Sequence, residues 1–240
     1  MNKYNLTYKS FGDKALLIEW PSIIDENIIE DIIGFDKKVS TNKNVLDTII
    51  AYNSLTIKYI KRVGSLEDTI GDLKEIYSSK TNKNSSKRVC WEIPVCYDLQ
   101  FGFDLKTISE TNNISIEQII NLHTKPTYLI YFLGFQPGFL YLGGLDSKIH
   151  IPRKETPRIR VEKGSVGIGG KQTGIYPQDS SGGWNLIGKS PIEFFNVKKE
   201  SPCFAKAGDK IQFLSVNIDT FYQIEEEVKK GTYQLKSVDI

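Results

Sequence analysis

Isoleucines 28, 29, 32 and 33 and Val39 recur at helical spacing behind Asp25, a pattern that predicts an amphipathic helix over 25 to about 39. A second helix is expected after Ser65. Asp68 stands at capping-box spacing from it, and Leu66, Ile70, Leu73 and Tyr77 fall at i, i+4, i+7 and i+11. Short apolar runs at 15–20, 45–52 and 55–60 predict strands around these helices, with Asn53-Ser54 as a hairpin turn between the last two. The pattern changes after residue 87. Runs at 89–95, 127–133, 192–197, 210–216 and 220–224 read as strands, and only 115–123 reads as a helix, with Ser115 and Gln118 again at capping-box spacing. Strand runs so closely spaced point to a closed barrel or sandwich. The expected fold class is therefore α+β: a small N-terminal α+β sandwich over 1–86, then a mainly β domain over 87–240. The polar stretch 80–87 is the linker between them.

Composition narrows the function. The 240 residues carry 31 basic and 29 acidic side chains, net +2, with 12 of each sign before residue 87. Such balance excludes a general nucleic-acid binder and an intrinsically disordered chain. No apolar run is long enough to span a membrane, and the opening residues lack the apolar core of a secretory signal, so a cytoplasmic location is expected. The three cysteines, Cys90, Cys96 and Cys203, fit a reducing compartment; Cys90 and Cys96 read as core residues. With only His123 and His150, a multi-histidine metal centre is not expected, and no metal ligand is assigned.

Candidate chemistry concentrates where glycine does: 12 of the 19 glycines lie within 134–188, beside several aromatic residues. Glycine inside strands marks either tight corners and bulges or backbone that must approach something closely. Between Lys148 and Lys171 there are seven basic residues and two acidic ones. Arginine forks and glycine-loop N–H groups both suit carboxylate or phosphate, which makes Arg158 an anion-site candidate. The alternative is a solvated basic strand on which Arg158 and Arg160 share one face while Ile159 and Val161 point inward. His123, at the end of its helix, is a candidate general acid or base, favoured as the cation by the dipole, or else a packed histidine. His150 reads as a surface loop residue. Gly169-Gly170-Lys171 fails the phosphate-loop pattern, because Ser165 and Gln172 occupy positions that need glycine and a hydroxyl residue. Catalytic residues stay unassigned.

The order and spacing of Gly134-Phe135-x-Pro137-Gly138-Phe139-x-Tyr141-Leu142-Gly143-Gly144-Leu145, Thr156-Pro157-Arg158, Gly164-Ser165-Val166, Gln172-Thr173-Gly174-Ile175-Tyr176-Pro177 and Gly182-Gly183-Trp184 resemble the family of 5-oxoprolinase B subunits, also described as allophanate hydrolase subunit 1 and including a sporulation-kinase inhibitor. The chain departs from the family pattern at Glu162-Lys163 and at Ser181. The resemblance implies a cyclophilin-like β-barrel for 87–240. It implies an ATP-hydrolysing enzyme that opens 5-oxoproline to L-glutamate, with the A and C subunits of 5-oxoprolinase as partners and with ATP and possible magnesium at the level of the complex. The alternatives it carries are inhibition of a histidine kinase and a role related to allophanate hydrolase or urea carboxylase. The expected substrate or anion pocket comprises Arg158, Gln172, Thr173, Tyr176, Gly182, Gly183 and Trp184, with His123 near its rim.

Overall fold

In the computed structural model, which describes residues 3–79 and 88–240, the chain divides into two compact units, 1–86 and 87–240. The expected linker at 80–87 lies outside the described residues. In the first unit, β1 (Thr7–Ser10), β2 (Ala15–Glu19), β3 (Val45–Ile50) and β4 (Ser54–Tyr59) form an antiparallel sheet in the order β1-β2-β4-β3. Leu16 and Ile18 on β2 and Leu55 and Ile57 on β4 are buried at alternate positions, as a half-covered sheet requires. They share the unit's interior with α1 (Glu26–Val39), which buries Ile28, Ile29, Ile32, Phe35 and Val39. Phe35 takes the inner position that the isoleucine pattern suggested for Ile33. The Asp25 side chain caps α1 by accepting from the Asn27 N–H at 2.8 Å. Ser65 caps α2 (Leu66–Ser78) by accepting from the Asp68 N–H at 3.2 Å. Leu66, expected on the buried face of α2, is exposed, and Leu73 is its one fully buried residue.

The second unit is a nearly closed seven-stranded barrel. Its strands are β5 (Val89–Cys96), β6 (Thr127–Leu133), β7 (Leu140–Gly143), β9 (Ser165–Gly169), β10 (Gln172–Ile175), β12 (Asn185–Lys189) and β13 (Lys210–Val216), in the order β10-β9-β12-β5-β13-β6-β7. The ends approach each other where Gly174 lies against β7: a Cβ there would stand 3.3 Å from the Leu140 carbonyl oxygen. Strands β8 (Arg158–Val161) and β11 (Ser180–Gly182) pair as a separate ribbon, and β14 (Ser237–Asp239) pairs with β5. Ile93, Val95, Tyr128, Ile130, Val166, Ile168, Ile211 and Phe213 are among the residues that fill the interior.

Three helices serve this unit, where the apolar pattern indicated one. The expected one is α4 (Ile116–Thr124), whose capping box is complete: Ser115 Oγ accepts from the Gln118 N–H, and Gln118 Oε1 accepts from the Ser115 N–H. The run at 220–224 is not a strand. It belongs to α5 (Ile218–Lys230), capped by Asn217 and ended at Gly231, whose φ is +71°. Phe221, Ile224 and Val228 have helical spacing, and this outweighs the local β-branched character of the run. The third, α3 (Leu105–Asn112), buries only Leu105 and Ile108, a stripe too short to stand out in the sequence. The run at 192–197 forms no strand. Cys96 is buried as expected, whereas Cys90 is only partly so.

Candidate functional site

The glycine-rich stretch is shaped around an aromatic side chain. Cβ atoms placed on Gly167, Gly169 and Gly174 would come within 3.2, 2.5 and 3.1 Å of Trp184, so β9 and β10 present bare backbone for the indole to lie against. Gly182 makes the same accommodation for the Tyr176 ring. Close approach, one of the two readings of these glycines, is what they provide, but the group approached is the protein's own tryptophan. Phe139, Tyr176 and Trp184 then meet edge to face, with centroid separations of 5.7 to 6.3 Å, in a buried cluster that also includes Val161 and Leu186. The Arg153 guanidinium stands 5.7 Å from the Trp184 ring centroid. Gly169→Ala is expected to cost about 1–3 kcal/mol by overpacking against the indole, which denaturant unfolding followed by tryptophan emission would measure.

Beside this cluster lies a carboxylate that sequence reasoning missed. Asp104, 3% exposed, accepts at Oδ1 from Arg158 Nη2 at 2.8 Å and from Lys154 Nζ at 3.0 Å; its Oδ2 accepts from the Leu186 N–H at 2.7 Å. Burial opposes its ionisation, yet the hydrogen bonds from Arg158, Leu186 and Lys154 hold its pKa below the ordinary value. Arg158 also donates to the Trp184 carbonyl at 3.4 Å. The loop that carries Lys154 is tied down by Lys154 N–H to Gly183 O and by Asn185 Nδ2 to Pro152 O. The local basic excess is thus largely matched by carboxylates from elsewhere in the chain, since Arg160 pairs with Asp179 and Lys163 with Glu193. Two cations on Asp104 leave one positive charge in excess at the edge of the aromatic cluster, and Arg153 adds another.

His123 is not at a rim. It is 0% exposed, stacked 4.4 Å from Phe213, and in contact with Thr173, itself fully buried. The Thr173 hydroxyl donates to Gly167 O, so it accepts from His123 Nε2–H at 2.8 Å, and Nδ1 accepts from the Tyr97 hydroxyl at 2.7 Å. Burial pushes the imidazole pKa down to about 3, so the ring is neutral, contrary to the cation expected from its helix-terminal position. The loss of hydration exceeds the helix-end contribution. The structure therefore separates the expected pocket into two sets. Tyr176, Gly182, Gly183, Trp184 and Arg158 gather at the aromatic cluster, whereas His123 and Thr173 form an interior hydrogen-bond relay. Gln172 is half-buried at the start of β10. Ile159, expected to point inward with Val161, is 95% exposed, because the β8–β11 ribbon stands outside the barrel sheet and covers only one of the two residues. His150 is partly buried and donates from Nε2 to the Leu145 carbonyl.

Asp104 left little trace in the sequence. Ahead of Leu105 and Ile108 it looks like an ordinary helix cap, and its partners lie 50 to 82 residues away. Among the described residues, no group of three or more His, Cys, Asp or Glu side chains is arranged to hold a metal, and no helix is long and apolar enough to cross a membrane.

Residues 6–205 match the family model described as carboxyltransferase domain, subdomain C and D. A Bacillus subtilis protein named as the B subunit of 5-oxoprolinase is 33% identical over 231 residues, which cover 91% of this chain and 96% of that one. Its namesake from Escherichia coli O157:H7 is 37% identical over 203 residues, 85% of this chain and 93% of that protein. The crystal structure of TTHA0988 superposes with a TM-score of 0.74 at 32% identity, covering 85% of this chain but only 40% of that longer one.

Proposed function

The chain belongs to the family of 5-oxoprolinase B subunits, and from that premise we propose that its aromatic cluster and the adjoining cations hold the lactam substrate of an ATP-dependent 5-oxoprolinase. The observation that carries the reading is the placement of Arg158 and Lys154, paired on buried Asp104, at the edge of Phe139, Tyr176 and Trp184. 5-Oxoproline is a small ring with a planar amide and one carboxylate. The apolar margin of the cluster suits the ring, and a fixed arginine suits the carboxylate.

A lactam resists water because its nitrogen lone pair is delocalised into the carbonyl. Transfer of a phosphoryl group from ATP to the carbonyl oxygen, with release of ADP, makes the carbonyl carbon more electrophilic. Water then adds to that carbon, the ring nitrogen leaves with a proton to give an acyl phosphate, and a second water releases phosphate and glutamate. In this reading the present chain orients the substrate and balances its carboxylate, while ATP and any magnesium are held by the other subunits. The C subunit of 5-oxoprolinase is the proposed direct partner, and the A subunit completes the reaction. ATP-coupled glutamate release is accordingly expected only when this chain is combined with its partners. Full turnover by the isolated 240-residue protein would overturn the proposal.

A further inference from the structure

Asp104 occupies the N-cap position of α3, where aspartate ordinarily accepts from a backbone N–H of the first turn, yet it makes no cap hydrogen bond. Its carboxylate turns away from its own helix toward Arg158, Lys154 and the Leu186 N–H. A local preference given up in this way marks a place where another requirement dominates. Net stability alone does not account for it, since a well-packed apolar group of similar volume commonly serves as well as a buried ion pair. The two cations are themselves incompletely buried, with 26% of the Arg158 side chain and 31% of Lys154 open to solvent. Each has donors left over beyond the one directed at Asp104.

We infer that Asp104 is a positioning residue, which holds Arg158 and Lys154 side by side on a single oxygen so that their remaining donors form a preset receptor for the substrate carboxylate. The inference rests on the reading of the Arg158 pocket given above. One carboxylate between two cations leaves a positive charge in excess, to which Arg153 adds, and this favours the carboxylate of 5-oxoproline. Arginine alone, on a flexible stem, would lose rotamer freedom on binding; arginine already anchored at one end loses less. Asp104 touches no substrate in this scheme and acts only through its two partners.

The test uses the chain assembled with its partner subunits and measures KM and kcat for 5-oxoproline. Asp104→Asn keeps an oxygen for the Leu186 N–H but turns an amide toward the cations, and Lys154→Met removes one cation from a half-exposed stem. If substrate and transition state use the carboxylate contact equally, KM rises and kcat holds. The expected result is a KM raised roughly tenfold or more in Asp104→Asn and about threefold or more in Lys154→Met, with kcat within about threefold of wild type. Arg158→Ala is measured alongside. A raised KM in Arg158→Ala with unchanged KM in the other two would overturn the positioning role and leave the pocket reading intact. Unchanged KM in all three would overturn both. A fall in kcat and melting temperature without any change in KM would reduce Asp104 to a structural ion pair, and so also overturn the inference. Should Asp104→Asn not fold, Asp104→Glu, which displaces the shared oxygen by one methylene, is measured in its place, and an unchanged KM there overturns the positioning role.

Discussion

Arg158→Ala is expected to lower 5-oxoproline turnover by the assembled enzyme roughly 30- to 5,000-fold at subsaturating substrate, the equivalent of about 2–5 kcal/mol for truncating a charged contact to a bound anion. The variant should still fold. The Asp104 carboxylate keeps Lys154 and the Leu186 N–H as partners, so the stability loss is limited to about 1–3 kcal/mol for one missing charged bond. Arg160→Ala is the matched control: its partner Asp179 is exposed, and Arg160 lies outside the cluster. Turnover, thermal melting and co-elution with the partner subunits should be measured for both. Wild-type turnover in Arg158→Ala would mean that the cations serve only the fold.

A second large effect concerns acid. His123 has a folded pKa of about 3 against an ordinary value of 6.5. Between these values the unfolded chain binds a proton that the folded chain does not, so stability falls as pH is lowered through this window. The contribution is complete above about pH 6.5 and declines by up to ~1.4 kcal/mol per pH unit below it. Between pH 7.5 and 4.5 this one group should account for about 2.5 kcal/mol. In His123→Gln, urea unfolding should show that much less difference between the two pH values, even though the variant starts from lower stability because its contacts with Tyr97 and Thr173 are disturbed. An identical pH dependence in wild type and variant would show that the imidazole is not held neutral.

The same regions show what the sequence discloses. Local signals were readable: Asp25, Ser65 and Ser115 each cap the helix their spacing announced, because a cap involves only the next three residues. The barrel was readable as a class, since short strand runs and a dense glycine stretch need no knowledge of which strand meets which. What stayed hidden depends on contacts between distant residues. Asp104 gains its meaning from Lys154, Arg158 and Leu186, and His123 from Tyr97 and Thr173, all brought together by the closing of the sheet. The glycines illustrate an intermediate case. Their number left tight corners and close approach both open, and only the fold reveals that Gly138, Gly144, Gly164 and Gly170 turn with positive φ while Gly167, Gly169 and Gly174 approach Trp184. For α5 the information was present as Phe221, Ile224 and Val228, obscured by a run that also satisfies a strand.

Strand β5 has an unusual set of neighbours. It runs parallel to β13 along most of its length, while its other side meets β14 near the start and β12 only at Cys96, with Pro94 in the gap between them. A ribosome making this chain therefore releases β5 about 120 residues before the first residue of its main partner. At about 5–20 residues per second, the strand waits roughly 6–24 s for β13 to exist. Throughout that interval a stretch containing Val89, Trp91, Ile93 and Val95 has a free edge that another nascent chain could occupy. Proline has no N–H, and Pro94 lies in the gap on the side away from β13, where the finished barrel needs no bond from it. The edge that faces β13 stays open until that strand is made.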